Sequence, residues 1–289
     1  MSEIIIRKYK DDDETAIKNI VKDDYPKYAE DLADFNRDEI IIAEYGGIVA
    51  GYLWGRVIHH FQWQIVARVL FIYVSPEYRR RGIGTALYNE IERQVREKND
   101  NELYSHQYYE YEIGKAFTDK LGFYFTNGST YMIYKGGILP EEKRDMIRKY
   151  KDDDVARVHQ IVARGFHALH VKLGYPDYMC VLNDELNEDR IKEYANIAEG
   201  SYVLEDNGQI VGFGNIGGKN IGSLAVDMTM NNKGYGKALA IFMTNEILKK
   251  GNETAELWCE VGNDNARHIY ENIGYRETET AYWSFKKVK

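Results

Sequence analysis

The segment VSPEYRRRGIGTAL, residues 74–87, joins two different apolar patterns through a glycine-rich loop. Before the loop, residues 66–74 form an apolar run that is typical of a buried strand. After it, four apolar residues recur at intervals of four: Ile83, Leu87, Ile91 and Val95. This spacing predicts a helix with one apolar stripe against a sheet. A similar segment, VDMTMNNKGYGKAL, occurs at residues 226–239, so the chain contains this strand-loop-helix junction twice.

A longer repeat surrounds these junctions. The octapeptide IRKYKDDD occurs at residues 6–13 and again, letter for letter, at residues 147–154, which indicates an internal duplication. The interval between matching positions grows from 141 to 161 residues before the first hairpin, so the second copy has 20 additional residues there. The segment GGILPEEK, residues 136–143, has the glycine, proline and charge content of a linker. We therefore predict two domains, residues 1–136 and residues 144–289.

Both copies predict the same order of elements. A strand is followed by an aspartate run, which we expect to cap the next helix by accepting its free N–H groups. A hairpin comes next, with the turn pairs Gly46-Gly47 and Asn207-Gly208, which tolerate positive φ. The strand-loop-helix junction, a further strand, a helix and a final hairpin close each unit. The order predicts an α/β fold, a mixed sheet with helices on its faces.

The composition excludes several classes of function. The net charge is −8 and the basic residues form no continuous stripe, which argues against a nucleic-acid partner because phosphate contacts dominate such binding. The negative net charge is compatible with a cationic substrate. No run approaches the roughly 18 apolar residues of a membrane span, and no signal peptide is recognisable at the N-terminus. We therefore expect a cytoplasmic protein without a membrane partner; its oligomeric state stays open.

Metal binding is not expected. Cys180 and Cys259 are too few for a metal cage or a disulfide framework, and we predict that both are small buried residues. His167 and His170 lie three positions apart, but no third ligand with suitable spacing accompanies them.

The glycine loop has the chemistry of a phosphate cradle. Glycines at the start of a helix let the backbone approach a ligand, and the free N–H groups and the helix dipole attract phosphate there. Adjacent arginines can pair with further phosphate groups. The segment resembles the coenzyme A loop of the GNAT superfamily of N-acetyltransferases, whose pattern is Arg/Gln-x-x-Gly-x-Gly/Ala. Arg79, Gly82 and Gly84 occupy the fixed positions.

The resemblance implies two tandem GNAT-type acyl-CoA N-acyltransferase domains and two sites for acetyl-CoA. In the first copy the implied binding residues are Val74, Arg79, Arg80, Arg81, Gly82, Ile83, Gly84 and Thr85. In the second copy they are Val226, Lys233, Gly234, Tyr235, Gly236 and Lys237. There Asn231 stands where the family has Arg or Gln, but a cradle of backbone N–H groups does not depend on that side chain.

A second family pattern is complete only in the second copy. Residues 263–275, NDNARHIYENIGY, fit Asn-x-x-Ala-x-x-x-Tyr-x-x-x-Gly-Phe/Tyr. The resemblance implies that Asn263 contacts pantetheine and that Tyr270 is the general acid that protonates the leaving thiolate; the alternative for Tyr270 is a buried structural tyrosine. At the corresponding positions the first copy has Tyr111, Gly114, Thr118 and Gly122. A threonine hydroxyl is a weak substitute for a phenol, although Tyr108 or Tyr109 on a neighbouring element is an alternative acid.

The resemblance implies direct acetyl transfer to a primary amine of a small molecule or peptide. We expect catalysis mainly in the second copy, because only this copy has a tyrosine at the family position; the complete glycine loop keeps the first copy as the alternative. Our candidate base is Glu260, with a plain solvated carboxylate as the alternative. The second copy's additional residues contain four candidates for an amine pocket, or for a simple lid: His167, His170, Tyr175 and Tyr178. Two other functions stay open: a non-catalytic acyl-CoA sensor, and an aminoacyl-tRNA-dependent transferase, which the acidic charge disfavours.

Overall fold

The structure is a computed structural model that describes residues 3–25, 36–60, 64–97, 102–230 and 232–288. Its contacts divide the chain into two compact units. Unit 1 comprises Met1–Asn127 together with Tyr282–Lys289, and unit 2 comprises Gly128–Ala281. Within the described ranges, no helix is both long and apolar enough to cross a membrane.

Unit 1 alternates strands and helices in the order that the sequence predicts. Its elements are β1 (Ile4–Lys8), α1 (Asp13–Val21), β2 (Ile40–Tyr45), β3 (Ile48–His60), β4 (Gln64–Val74), α2 (Ile83–Arg96), β5 (Glu102–Tyr108) and α3 (Tyr111–Lys120). The strands from β1 to β4 are antiparallel neighbours, and β4 and β5 are parallel. The predicted mixed sheet is therefore confirmed.

Unit 2 repeats this order with an additional helix. Its elements are β6 (Phe125–Tyr134, from Gly128 onward), β7 (Ile147–Lys149), α4 (Val155–Lys172), α5 (Glu188–Ile197), β8 (Ser201–Asp206), β9 (Gln209–Gly217), β10 (Asn220–Val226), α6 (Tyr235–Lys249), β11 (Ala255–Glu260), α7 (Asp264–Ile273) and β12 (Arg276–Val288, up to Ala281). The helix α5 and the end of α4 lie in the additional residues of the second copy.

The helix after each glycine loop packs through its apolar stripe. On α2 the four stripe residues Ile83, Leu87, Ile91 and Val95 are at most 1% exposed. On α6 the equivalent stripe is also buried: Tyr235, Leu239, Met243 and Ile247. Burial of such side chains contributes about 1.5–3 kcal/mol each, so this stripe anchors the loop in front of it. Of the two cysteines, Cys259 is buried and Cys180 is only half-buried.

The aspartate runs act differently from the sequence prediction. Asp13 accepts the N–H of Lys10 at 2.7 Å and pairs with both terminal nitrogens of Arg7 at 2.6 and 2.7 Å. Asp154 pairs in the same way with Arg148 at 2.7 and 3.0 Å. These carboxylates also connect the helix start to the first strand. Asp154 accepts the Lys151 N–H at 2.8 Å in a capping box, so the predicted capping occurs at the N-cap N–H rather than at the N–H groups of the first turn.

The boundaries of the two compact units differ from those of the predicted domains, residues 1–136 and 144–289, in two places. β6 is divided, since residues from Gly128 onward belong to unit 2. β12 is also divided, because Tyr282–Lys289 belong to unit 1. In unit 1 the residues Tyr282–Val288 pair antiparallel with β5. The last residues of the second sequence copy therefore complete the sheet of unit 1.

Candidate functional site

A gap between two parallel strands forms the candidate site of unit 1. β4 and β5 pair from Val66–Leu103 to Val69–His106, and the pairing ends there although both strands continue. A bulge in β4 next to Val69 shifts its register against β3. A cavity of about 910 Å³ opens between the separated strand ends. Its walls come from β4, the glycine loop, β5, α3 and the turn after α1.

The glycine loop brings backbone N–H groups to this cavity. Gly82 has φ +89° and precedes α2, whose first backbone bond runs from the Ala86 N–H to the Gly82 carbonyl at 2.9 Å. The N–H groups of the first turn have no partner within the helix. A Cβ at Gly84 would lie 3.2 Å from the Phe117 ring, so a side chain at this position would require α3 or the ring to shift by a few tenths of an ångström. Gly82, Ile83, Gly84 and Thr85 all line the cavity.

The three arginines have different positions. Arg79 and Arg80 line the cavity. The Arg79 Nε donates to the Val74 carbonyl at 2.9 Å, which holds the arginine against the end of β4. Arg81 instead stacks over the Tyr45 ring, with its guanidinium carbon 5.1 Å from the ring centroid. Of the predicted phosphate ligands, Arg79 and Arg80 are thus brought together with the loop, and Arg81 contacts a different surface.

In unit 1 the position that corresponds to Tyr270 is occupied by Thr118, which has no phenol. Thr118 is fully buried, and its hydroxyl lies 3.0 Å from the Ser284 Oγ. The Tyr108 hydroxyl lies 2.9 Å from the same oxygen, and its ring occupies the space of any Cβ at Gly114. The large side chain of Tyr108 in β5 thus packs directly against Gly114 in α3. The contribution of Ser284 was not foreseeable from the sequence, because it lies 166 positions from Thr118.

His106 lies where the two strands of unit 1 separate. It is 2% exposed, lines the cavity and contacts the ring of Phe117. Its Nδ1 has no hydrogen-bond partner among the described residues. Burial lowers the pKa of His106 to about 3, so the imidazole is neutral at physiological pH. The sequence did not single out His106, because a lone histidine in a strand has no second ligand or catalytic partner at a recognisable spacing.

Unit 2 contains a second gap of the same kind. β10 and β11 pair only at Asn220–Glu256 and Ile221–Leu257, and a register shift follows in β10. Gly234 has φ +79° and precedes α6. A Cβ at Gly236 would lie 3.4 Å from Ile269 and 3.8 Å from Val226, which are ordinary contact distances, so this position is less crowded than Gly84 in unit 1.

The side chains of the second loop are mostly used within unit 2. Tyr235 is buried and its hydroxyl donates to Asp206 at 2.6 Å, so only its backbone faces the loop. The Lys233 Nζ lies 3.2 Å from the Met230 sulfur, on the exposed surface. Lys237 follows on the first turn of α6. Asn231, which replaces the family's Arg or Gln, lies outside the described residues.

α7 places the two residues of the second family pattern. Asn263 is the N-cap of α7, and its side-chain oxygen accepts the Ala266 N–H at 3.4 Å. Tyr270 is 8% exposed, and its ring centroid lies 5.8 Å from that of Tyr275. Burial, reinforced by neighbouring Cys259 at the end of β11, raises the pKa of Tyr270 well above its usual value. The phenol therefore keeps its proton at neutral pH.

The Glu260 carboxylate contacts two side chains from the additional residues of the second copy. The Tyr175 hydroxyl donates to the Glu260 carboxylate, and the His170 Nε2 lies 3.9 Å from its other oxygen. The His170 and Tyr175 rings stack at 4.4 Å. Burial lowers the pKa of His170, and the Glu260 charge opposes that shift. The structure thus brings together Glu260, His170 and Tyr175; His167 lies beside His170, and Tyr178 is half-buried on the following turn.

No group of three or more histidine, cysteine, aspartate or glutamate side chains is placed to hold a metal ion in the part of the chain that the structure describes.

The two copies match known families separately. Residues 6–123 match the acetyltransferase (GNAT) family model, and residues 215–284 match the model described as FR47-like protein. No curated protein sequence matches the chain.

Solved structures share the fold over the whole chain. A GCN5-related N-acetyltransferase from Sphaerobacter thermophilus has a TM-score of 0.68 at 16% identity and covers 98% of this chain and 95% of its own. A glucosamine N-acetyltransferase region of a fungal multi-domain β-N-acetylglucosaminidase has a TM-score of 0.64 at 14% identity, covering 99% of this chain and 38% of its own. A tandem GNAT protein from the clavulanic acid biosynthesis pathway has a TM-score of 0.56 at 15% identity, covering 99% and 98%.

Proposed function

The chain belongs to the GNAT superfamily, and on this premise we propose that it transfers an acetyl group from acetyl-CoA to a primary amine of a small molecule or peptide. One observation carries the proposal. In each unit a helix that begins at a positive-φ glycine faces the place where two parallel strands separate. Such a helix start attracts phosphate, and the separated strands leave backbone groups without ladder partners.

We propose that coenzyme A binds at both loops. A Cβ at Gly84 would lie 3.2 Å from the Phe117 ring, so this position of the first loop favours glycine. In unit 1 the N–H groups of Ile83, Gly84 and Thr85 would hold the pyrophosphate, with Arg79 and Arg80 beside them. In unit 2 the loop backbone from Lys233 to Lys237 would have the same role. Bound acetyl-CoA would supply the acetyl group and a thiol leaving group.

We assign the chemistry to unit 2 because only α7 carries a phenol at the family position. Tyr270 holds a proton at neutral pH and lies beside Cys259 at the end of β11. We propose that it donates this proton to the leaving sulfur. A backbone N–H of residues 224–226, at the end of β10 that pairs with β9 but not with β11, would hold the developing oxyanion. In unit 1, Thr118 is engaged inward with Ser284, so we propose that this unit mainly binds the donor.

Glu260 is the proposed proton acceptor. An amine is protonated at neutral pH, so one proton must leave its nitrogen before the new C–N bond forms and the C–S bond breaks. Tyr175 fixes the Glu260 carboxylate, and the neutral His170 imidazole lies next to it. The acceptor proton would pass to Glu260, directly or through a water molecule.

The test of the function is release of free coenzyme A thiol from acetyl-CoA in the presence of a panel of primary amines, followed by mass spectrometry of the amine. Amine-dependent thiol release with acetylated product is the expected result. Tight binding of acetyl-CoA without product from any amine would instead support the non-catalytic sensor.

A substitution at Gly82 tests the donor site of unit 1. Gly82→Val is expected to abolish the thermal stabilisation of unit 1 by acetyl-CoA, because valine at φ +89° forces the loop out of its conformation. The left-handed conformation costs a non-glycine residue roughly 1–2 kcal/mol. Gly47→Val is the matched control, because Gly47 has φ +80° in the β2–β3 hairpin and equally open surroundings. Equal ligand-induced stabilisation in both folded variants would contradict the assignment.

A substitution at Tyr175 tests the acceptor side of unit 2. Tyr175→Ala is expected to raise KM for the amine by about tenfold, since a hydrogen bond to a charged group contributes about 1.5–3 kcal/mol. The dissociation constant of acetyl-CoA should stay the same. Lys172→Ala, an exposed change at the end of α4, serves as control. Unchanged KM and kcat in Tyr175→Ala would exclude this residue from the amine site.

A further inference from the structure

Two arginines lie side by side on the sheet of unit 1, on the face that packs against α1. Arg56 of β3 and Arg68 of β4 are opposite each other in the antiparallel pairing, so their side chains lie on the same face. Trp54, two positions before Arg56, packs with the core cluster of α1, which identifies that face. The residues that line the cavity between β4 and β5 include neither arginine. The pair is therefore separate from the proposed donor site.

Arg68 has no partner for its charge in the part of the chain that the structure describes. The residue is half-buried, and its buried Nε makes no hydrogen bond there. Burial and the nearby charge of Arg56 lower the pKa of Arg68, and no described carboxylate opposes these effects. Arginine nevertheless stays protonated at neutral pH, so the charge remains. A half-buried charge without a partner is unfavourable, and an anion beside it would stabilise it.

Arg56 adds a second positive charge and has only a distant carboxylate. A carboxylate oxygen of Glu39 lies 4.0 Å from an Arg56 guanidinium nitrogen, at the limit of an ion pair. The other oxygen of Glu39 accepts the indole N–H of Trp54 at 3.1 Å. Among the described residues, the pair therefore combines two guanidinium groups with a single carboxylate, which lies near Arg56.

A buried hydroxyl lies next to Arg68. Ser105 of β5 is the neighbour of Arg68 in the parallel pairing and is 2% exposed. Its Oγ has no hydrogen-bond partner within the described ranges. Buried hydroxyls are normally hydrogen-bonded, so an unbonded hydroxyl beside an unpaired cation indicates a missing ligand.

Unit 2 has a carboxylate at the corresponding place. Arg68–Ser105 is the pair before the last one between β4 and β5, and Asn220–Glu256 has the same position between β10 and β11. Glu256 is 3% exposed and forms an ion pair with Lys219 at 2.6 Å. Unit 2 thus supplies both the cation and the anion from its own chain. Unit 1 has cations and a hydroxyl there, so a carboxylate from outside the chain would complete the same arrangement.

We propose that Arg56, Arg68 and Ser105, here named the arginine site, bind the carboxylate group of a small-molecule ligand. A planar guanidinium matches a carboxylate through two parallel hydrogen bonds, which Arg68 would supply. Arg56 would add the second charge, and the Ser105 hydroxyl would donate a hydrogen bond. The site goes beyond the proposed acetyl transfer and does not depend on it.

The experiment measures binding to the full chain by titration calorimetry. The probe is succinate, and the comparison ligand is succinamide, which has a similar shape without the charges. Succinate is expected to bind at least about tenfold more tightly than succinamide, since hydrogen bonds between charged groups are the stronger ones. Equal affinity, or no succinate binding, would overturn the proposal. The assay needs neither donor nor turnover, so its failure leaves the proposed acetyl transfer untouched.

A substitution at Arg68 gives opposite effects on binding and on stability. Arg68→Met is expected to weaken succinate binding by at least about tenfold. It should also raise the Tm of the ligand-free protein, because methionine removes an unpaired charge and keeps an aliphatic chain in place. Removal of an arginine with a purely structural role would lower the Tm instead. Unchanged succinate affinity in Arg68→Met would refute the arginine site.

Two further variants localise the effect. Arg93→Met changes the net charge equally at an exposed position of α2 and should leave succinate binding unchanged. Equal losses in Arg68→Met and Arg93→Met would reduce the result to general electrostatic attraction and would contradict the proposal. Arg56→Met, at an exposed side chain where folding tolerates the change, should weaken succinate binding but not that of succinamide.

Discussion

Replacement of Tyr270 by phenylalanine is expected to lower kcat by about 10²–10⁴-fold, the usual contribution of a positioned general acid. The ring stays in its buried place next to Cys259 and Tyr275, so packing is retained and only the donated proton is lost. The dissociation constant of acetyl-CoA should hardly change, because the loop holds the donor through its backbone. A fall in kcat at constant donor affinity identifies a group that acts in the transition state.

The control for Tyr270 is its counterpart in unit 1. Thr118→Ala removes a hydroxyl that is already engaged with Ser284, and it should change kcat little. Steady-state kinetics with the amine found in the panel provide the measurement. If Tyr270→Phe stays fully active while Gly82→Val abolishes turnover, the active site belongs to unit 1 instead.

Ending the chain after Ala281 is expected to unfold or strongly loosen unit 1, although the first sequence copy stays complete. The deletion removes the strand that pairs with β5 along its whole length. It also removes Ser284, whose hydroxyl lies within 3.0 Å of the hydroxyls of Tyr108, Thr118 and Thr126. Buried hydroxyls that lose their partner each cost about 1–3 kcal/mol. Loss of acetyl-CoA-dependent stabilisation in unit 1 should follow.

A single substitution at Lys286 tests the role of the same strand without removing it. Lys286 is 8% exposed; it donates to Glu92 and to the Leu121 carbonyl, the latter at 2.9 Å, and lies 4.9–5.3 Å from three ring centroids. Lys286→Met should destabilise unit 1 by roughly 3 kcal/mol, since it removes the donor to the Leu121 carbonyl and leaves the Glu92 charge with only the exposed Arg96 at 3.9 Å. Lys287→Met, an exposed change one position on, is the control. Hydrogen exchange of the β5 amides reports unit 1 directly, and equal protection in the two variants would contradict the role of Lys286.

Local pattern was sufficient to predict the repeated elements. The helical stripes of α2 and α6, the hairpin turns and the glycine helix starts depend on residues at most a few positions apart. Steric limits on φ and the period of an apolar stripe act at this range, so one sequence reveals them. For the same reason, the family patterns predicted the glycine loops at two helix starts and the helix that carries Asn263 and Tyr270.

Contacts between distant positions were decided by the tertiary structure alone. The sequence division at residues 136 and 144 follows the duplication, whereas the end of the chain, from Tyr282 onward, pairs with β5. Arg81 contacts Tyr45 rather than the cavity, and Glu260 meets Tyr175, which is 85 positions away. Strand pairing and side-chain packing are set by the free energy of the whole fold. A sequence pattern shows which residue types lie in each segment. Which distant residues contact each other depends on the packing of the whole fold.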